Sequence, residues 1–175
     1  MQPTFEFSID AMIRALTGTV RPAIDPQDKA ASEQLAIVVG ALNVLRSQVD
    51  YAHWFETVDA RDMGTLVETL AGLADLPSSA EARAAVAAAR GVIGRSNVSL
   101  SALRAANSAL RGLTSALMEE AHALDAPALH AQVDRVVLDH SKAQVARERA
   151  YVAGAGFDVF PDDLQTIEAA LTAAA

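Results

Sequence analysis

Ser99 to Asp125 reads SLSALRAANSALRGLTSALMEEAHALD. Leu103, Leu110, Leu117 and Leu124 recur every seven residues, and Ala106 and Leu113 fill intermediate positions of the same seam. That repeat marks a helix lying lengthwise on other helices at a shallow angle. Asp125-Ala126-Pro127 is too short to do more than turn the chain, so the next helix is expected to fold back antiparallel. Its seam reads Leu129, Val133, Val136, His140, Ala143, Arg147 and Ala150, and Gly154 and Gly156 suit its end.

Working toward the N-terminus, the same periodicity continues. Gly94 to Asn97 makes a turn, preceded by an Ala-rich helix from about Ala80 to Ile93 that Pro77-Ser78-Ser79 opens. A shorter helix is expected over 61–73, with Met63, Leu66, Val67 and Leu70 inward. Asp25-Pro26 reads as a cap followed by proline at the first helical position. The long helix it starts is expected to run over 26–58, with Leu35, Val38, Leu42, Leu45, Val49 and Ala52 on one stripe. A first helix starts near Ser8 and ends or kinks at Pro22, and a short last helix follows Pro161. The expectation is an all-α, antiparallel up-and-down helical bundle. Its long core helices cover 26–58, 99–124 and 127–153, shorter helices flank them, and one domain spans 1–175.

Composition agrees. The 175 residues are 51% hydrophobic but only 5% aromatic, and alanine, the best helix former, supplies much of the apolar count. The formal charge is −8, with 14 Lys+Arg against 22 Asp+Glu and no basic run, which argues against nucleic acid and against anionic membrane surfaces. There is no cysteine, hence no disulfide and no thiolate chemistry, as fits a reducing cytoplasm. MQPTFEFSID lacks the pattern of a signal peptide, and the most apolar run, Leu35 to Leu45, is far short of a membrane span. The expected location is cytoplasmic.

Two groups of residues could carry chemistry. Glu119-x-x-His122 places a carboxylate and an imidazole on one side of a helix, as di-metal bundle proteins do, and Glu120, His130 and Asp134 lie nearby. An Fe, Mn or Zn site built from Glu119, Glu120, His122, His130 and Asp134 is therefore one expectation for an enzyme. Against it, the heptad frame puts Glu120 on the seam and Glu119 and His122 on its flanks. No second Glu-x-x-His matches the first. His140 falls beside Leu113, about 10 Å along the helix from the level of Glu120, beyond the reach of a shared ion.

The second group is a ligand pocket lined by Trp54, His53, Glu120, His140 and Arg147. It joins the cluster holding the only Trp to three polar residues at seam positions, where a charge is costly unless paired. The alternative for each is structural: a packing plug at Trp54, and register-fixing polar groups on the seams.

Val20-Arg21-Pro22-Ala23-Ile24-Asp25-Pro26, followed by a helix containing Ala36-Ile37-Val38-Val39-Gly40-Ala41-Leu42, resembles a group of small uncharacterised all-helical bacterial proteins. Those proteins are encoded beside aminoglycoside-phosphotransferase-like kinases and acyl-CoA dehydrogenases. The likeness covers the first third of the chain and carries no catalytic motif. It implies an accessory role near small-molecule or acyl-CoA metabolism. The sequence reading is thus a non-enzymatic accessory or interaction protein without a cofactor, working as a homodimer or with a protein partner through an Ala-rich face. Its alternatives are the metal-dependent bundle enzyme and a carrier of acyl-type ligands with a slot near Trp54.

Overall fold

The computed structural model describes residues 4–156 and 158–173. They form an all-α helical bundle, and among the described residues there is no strand. Backbone proximity divides the chain into two compact units, 1–51 with 148–167 and 52–147 with 168–175.

The first unit is built on a helical hairpin. Helix α1 (Phe5–Ala15) passes into a π-helical turn (Leu16–Val20) and ends in one further turn, α2 (Arg21–Ala23). The cap is Thr4, whose hydroxyl accepts from the Phe7 amide, and Ser8, the expected start, lies inside the helix. Pro22 lies in that last turn, and the helix ends one residue beyond it, at Ala23, as expected. The proline ring would crowd the carbonyl four residues back, and the wider turn, closed by Arg21 N–H to Leu16 O, accommodates it one turn earlier. Ile24 is extended, and Asp25 and Asp28 then accept from the Gln27 and Ala31 amides. That reverses the chain into α3 (Lys29–Gln48). The far ends of the hairpin are tied by Arg46 to Asp10 at 2.9 Å.

α3 stops where the sequence offers no proline or glycine. Ser47 Oγ donates to the Val44 carbonyl, Gln48 donates its side-chain amide to the Tyr151 carbonyl, and Tyr51 N–H closes a tight bond to Gln48 O. The helix expected over 26–58 is therefore two helices. The one expected over 61–73 is the later part of α4 (Ala52–Leu73). The difference arises because side-chain and tertiary hydrogen bonds, rather than a breaker residue, end the helix.

The second unit holds the core. Around α4 pack α5 (Ser79–Ile93) and α6 (Leu100–His122), whose backbones approach closely. α5 presents Ser79, Ala82, Val86 and Ala89. These small side chains let neighbouring helices come near. α7 (Pro127–Tyr151) returns antiparallel to α6 and keeps its backbone farther out. Met63, Leu66, Val67 and Leu70 of α4 join Leu110 and Leu117 of α6 and Val133 of α7 in one apolar cluster. The seam of α6 differs from the expected one. Leu103, Leu110 and Leu117 are buried, but their companions are Asn107, Thr114 and Ala121. Ala106, Leu113 and Glu120 are half-buried, and Leu124, past the helix end, is exposed. A helix flanked on more than one side buries a stripe wider than a two-helix seam. α8 (Ile167–Thr172) contributes buried Ala170 and Leu171.

In the first unit the chain continues beyond α7 through a turn at Ala153–Ala155, which packs on α3. A methyl group on Gly154 would meet Ser47 Oγ at 2.7 Å, so the turn approaches α3 closely enough that any larger residue would force the Ser47 side chain to move. Gly156 adopts φ +71°, the left-handed conformation that ends the turn. Arg149 then clamps Asp158 with two hydrogen bonds, 2.8 and 2.7 Å. Those bonds and the Phe160 amide hold the Asp158 carboxyl down at about 2. Among the described residues no helix is long and apolar enough to cross a membrane.

Candidate functional sites

A polar ladder runs through the second unit. Glu56, Asp59 and Asp62 recur every three residues on α4, and each meets a basic or amide side chain. Glu56 accepts from Arg104 Nε at 2.9 Å and from the Asn107 amide at 2.7 Å. Asp59, only 1% exposed, accepts from Arg111 at 2.7 Å. Asp62 accepts from Arg147, 4% exposed, at 2.6 Å. Asp59 and Arg147 are thus buried charges with partners, as burial requires. The sequence reading singled out Arg147 but not Asp59, Asp62, Asn107 or Arg111. The signal was the three-residue recurrence of acids on α4 facing the recurrence Arg104, Asn107, Arg111 on α6.

His140 lies against this ladder. Its Nε2 and the Nη2 of Arg147 are buried without a hydrogen-bond partner among the described residues. Burial pushes the imidazole below its usual value. Asp62 opposes that shift, while Arg147 and Arg111 add to it. Two small cavities flank the ring, one of about 240 Å³ beside Asp62 and Val136, the other of about 220 Å³ beside Met63, Arg111 and Val137. His140 and Arg147 of the expected pocket therefore belong together. Of the expected pocket residues only His140 lines these cavities; Arg147, His53, Trp54 and Glu120 line neither. His53 is exposed, its Nε2 3.3 Å from the Val98 carbonyl, and Trp54 is half-buried. Glu120 accepts from the Ser78 amide at 3.0 Å and from the Ser78 hydroxyl at 2.6 Å, an acid at the positive end of α5.

The residues expected to hold metal divide at the α6–α7 turn. His122, His130 and Asp134 come together. The two ring centroids lie 5.0 Å apart with their planes tilted by 36°, and His122 Nε2 lies 3.1 Å from Asp134. His122 Nδ1 faces the Met118 carbonyl, and His130 Nε2 faces that of Leu124. Both ring nitrogens of His122 are thereby engaged. Glu119 is exposed, and Glu120 is committed to Ser78. Among the described residues no cluster of three or more His, Asp or Glu is placed to hold a metal ion.

A further cavity lies elsewhere, between the arms of the first unit's hairpin. It measures about 400 Å³ and is lined from one arm by Thr17, Arg21 and Ile24 and from α3 by residues from Ser32 to Asn43. It opens beside the π-helical turn, where the first arm is widest. Nothing in the apolar periodicity could have revealed it, because a gap between helices depends on the path of both backbones. Comparison with family models, with curated proteins and with solved structures finds no match to this chain.

Proposed function

We propose that this chain is a non-enzymatic helical interaction protein that assembles with a second copy of itself through α3. One observation carries the reading. α3 runs twenty residues, has no charged residue from Gln34 to Leu45, and buries none of its side chains. A helix apolar over so much of its length is covered in a finished assembly. Ala30, Gln34, Ile37, Val38, Ala41 and Leu45 fall at helical spacing and are exposed, Ile37 by 62%.

The argument for a second copy is one of charge and size. The chain carries −8, and an uncharged stripe is where two such chains meet with least repulsion. Alanines along it permit close approach, and Gln34 within it suits a register-setting polar contact. A hairpin with helices about 30 Å long and 10 Å wide offers a face of some 600 Å² in projection, on the order of the ~800 Å² that each partner buries in a stable interface. Two hairpins laid together make a four-helix bundle, and closed two-fold pairing is the commonest form of self-association.

Light scattering on the full chain tests this. The expected mass at tens of micromolar is twice 18.3 kDa, and Ile37→Glu should halve it while leaving the helical dichroism intact. A single-chain mass for the unaltered protein at every concentration, or no response to Ile37→Glu, would overturn the reading.

A further inference from the structure

We propose that the hairpin cavity of the first unit binds a small amphipathic carboxylate, its apolar body between the helices and its acid head on Arg21. The volume of about 400 Å³ lies within the range of small-ligand sites. Ile24, Leu35 and Val39 supply an apolar lining, and Arg21 and Ser32 stand on its border.

Arg21 decides the ligand's charge. Of the chain's twelve arginines, Arg46, Arg90, Arg104, Arg111, Arg147 and Arg149 each pair with a carboxylate, and of the other six only Arg21 lines this cavity. Arg21 pairs with none among the described residues. The two acids nearest along the loop are engaged with backbone, Asp25 with the Gln27 amide and Asp28 with the Ala31 amide. Asp10, on the same arm, is held by Arg46. An unneutralised guanidinium at the rim of an apolar cavity selects a planar anion that accepts two parallel hydrogen bonds.

The π-helical turn that accommodates Pro22 also borders this cavity. Such turns are rare and are frequent at functional sites. This one contributes Thr17 to the wall, and Thr17 Oγ1 donates to the Ile13 carbonyl at 2.8 Å, which leaves its lone pairs free to accept. The cavity lies within one chain's hairpin, so this inference stands apart from self-association and is testable in the Ile37→Glu background.

The experiment is a titration of the isotopically labelled full chain with octanoate and with 1-octanol, followed by amide chemical shifts. Octanoate should shift the amides of Ile24, Ser32, Val39 and Asn43 at millimolar concentration or below, and 1-octanol should bind at least about fivefold more weakly. Arg21→Gln should remove that preference and leave octanol binding unchanged. Gly40→Leu should abolish both. A side chain added at Gly40 starts in open space, so this variant keeps its backbone. Three results would overturn the proposal: no shifts, shifts mapping mainly to residues 52–147, or an acid preference that survives Arg21→Gln.

Discussion

α3 and α4 are neighbours in the chain, nearly equal in length and both rich in apolar residues, yet α4 buries nine residues and α3 none. The contrast extends to the units they belong to. Of thirteen exposed large apolar side chains among the described residues, ten lie in the first unit, whose buried residues are Ile9 and Ala150 alone. Within the second unit α4 is flanked closely by α5 and α6, and alanine-lined surfaces bring the backbones together. In the first unit α3 meets one helical arm and a short turn. Hydrophobic periodicity states which residues favour burial, and the number of neighbouring helices decides which of them achieve it.

Substitutions break this comparison in a definite order. Leu110→Ala empties a fully buried position and should cost about 3–5 kcal/mol of stability in urea unfolding followed by Trp54 fluorescence. Asp62→Ala leaves Arg147 buried without its partner and should cost about 3 kcal/mol by the same measurement. Replacing Asp62 and Arg147 together by apolar residues should recover most of that loss.

Gly154→Ala presses a methyl group on Ser47 and should cost about 1–2 kcal/mol. The loss should appear in exchange of α3 amides and leave those of α6 unchanged. Ile37→Ala, on the open stripe, should alter the stability of dilute protein by less than about 0.5 kcal/mol.

His140 adds a pH dependence confined to the second unit. Burial lowers its folded-state value below 6.5, so the unfolded chain takes up the proton first as pH falls. Stability is therefore fully present above pH 6.5 and declines as pH drops toward the folded value. His140→Gln should flatten the decline seen by Trp54 fluorescence between pH 7 and 5. The Asp158 clamp behaves alike at lower pH: its contribution is present above the ordinary carboxylate range and lost as pH falls through about 2.

The sequence made the helical class legible because Leu103, Leu110 and Leu117 repeat at a spacing that few other structures accommodate, and all three are buried. The α6–α7 reversal was legible for the same reason, since Asp125 to Pro127 leaves no room for another path. The end of α3 was not, because it depends on Gln48 reaching the carbonyl of Tyr151, distant in sequence. Nor were Asn107 and Thr114 recognisable as buried, for each is polar and finds its partner in the fold: the Glu56 side chain for one, the Leu110 carbonyl for the other. Arg147 could be singled out from its seam position. Its acid partner Asp62 could not, since pairing across helices depends on axial level and rotation together.

Hydrogen exchange at two protein concentrations measures the difference between α3 and α6 directly. The account predicts that α3 amides exchange at least about tenfold faster on dilution from tens of micromolar to well below one micromolar, as the assembly dissociates, while α6 amides keep the same protection. Equal protection of α3 and α6 at both concentrations, or α3 exchange that ignores concentration, would contradict it.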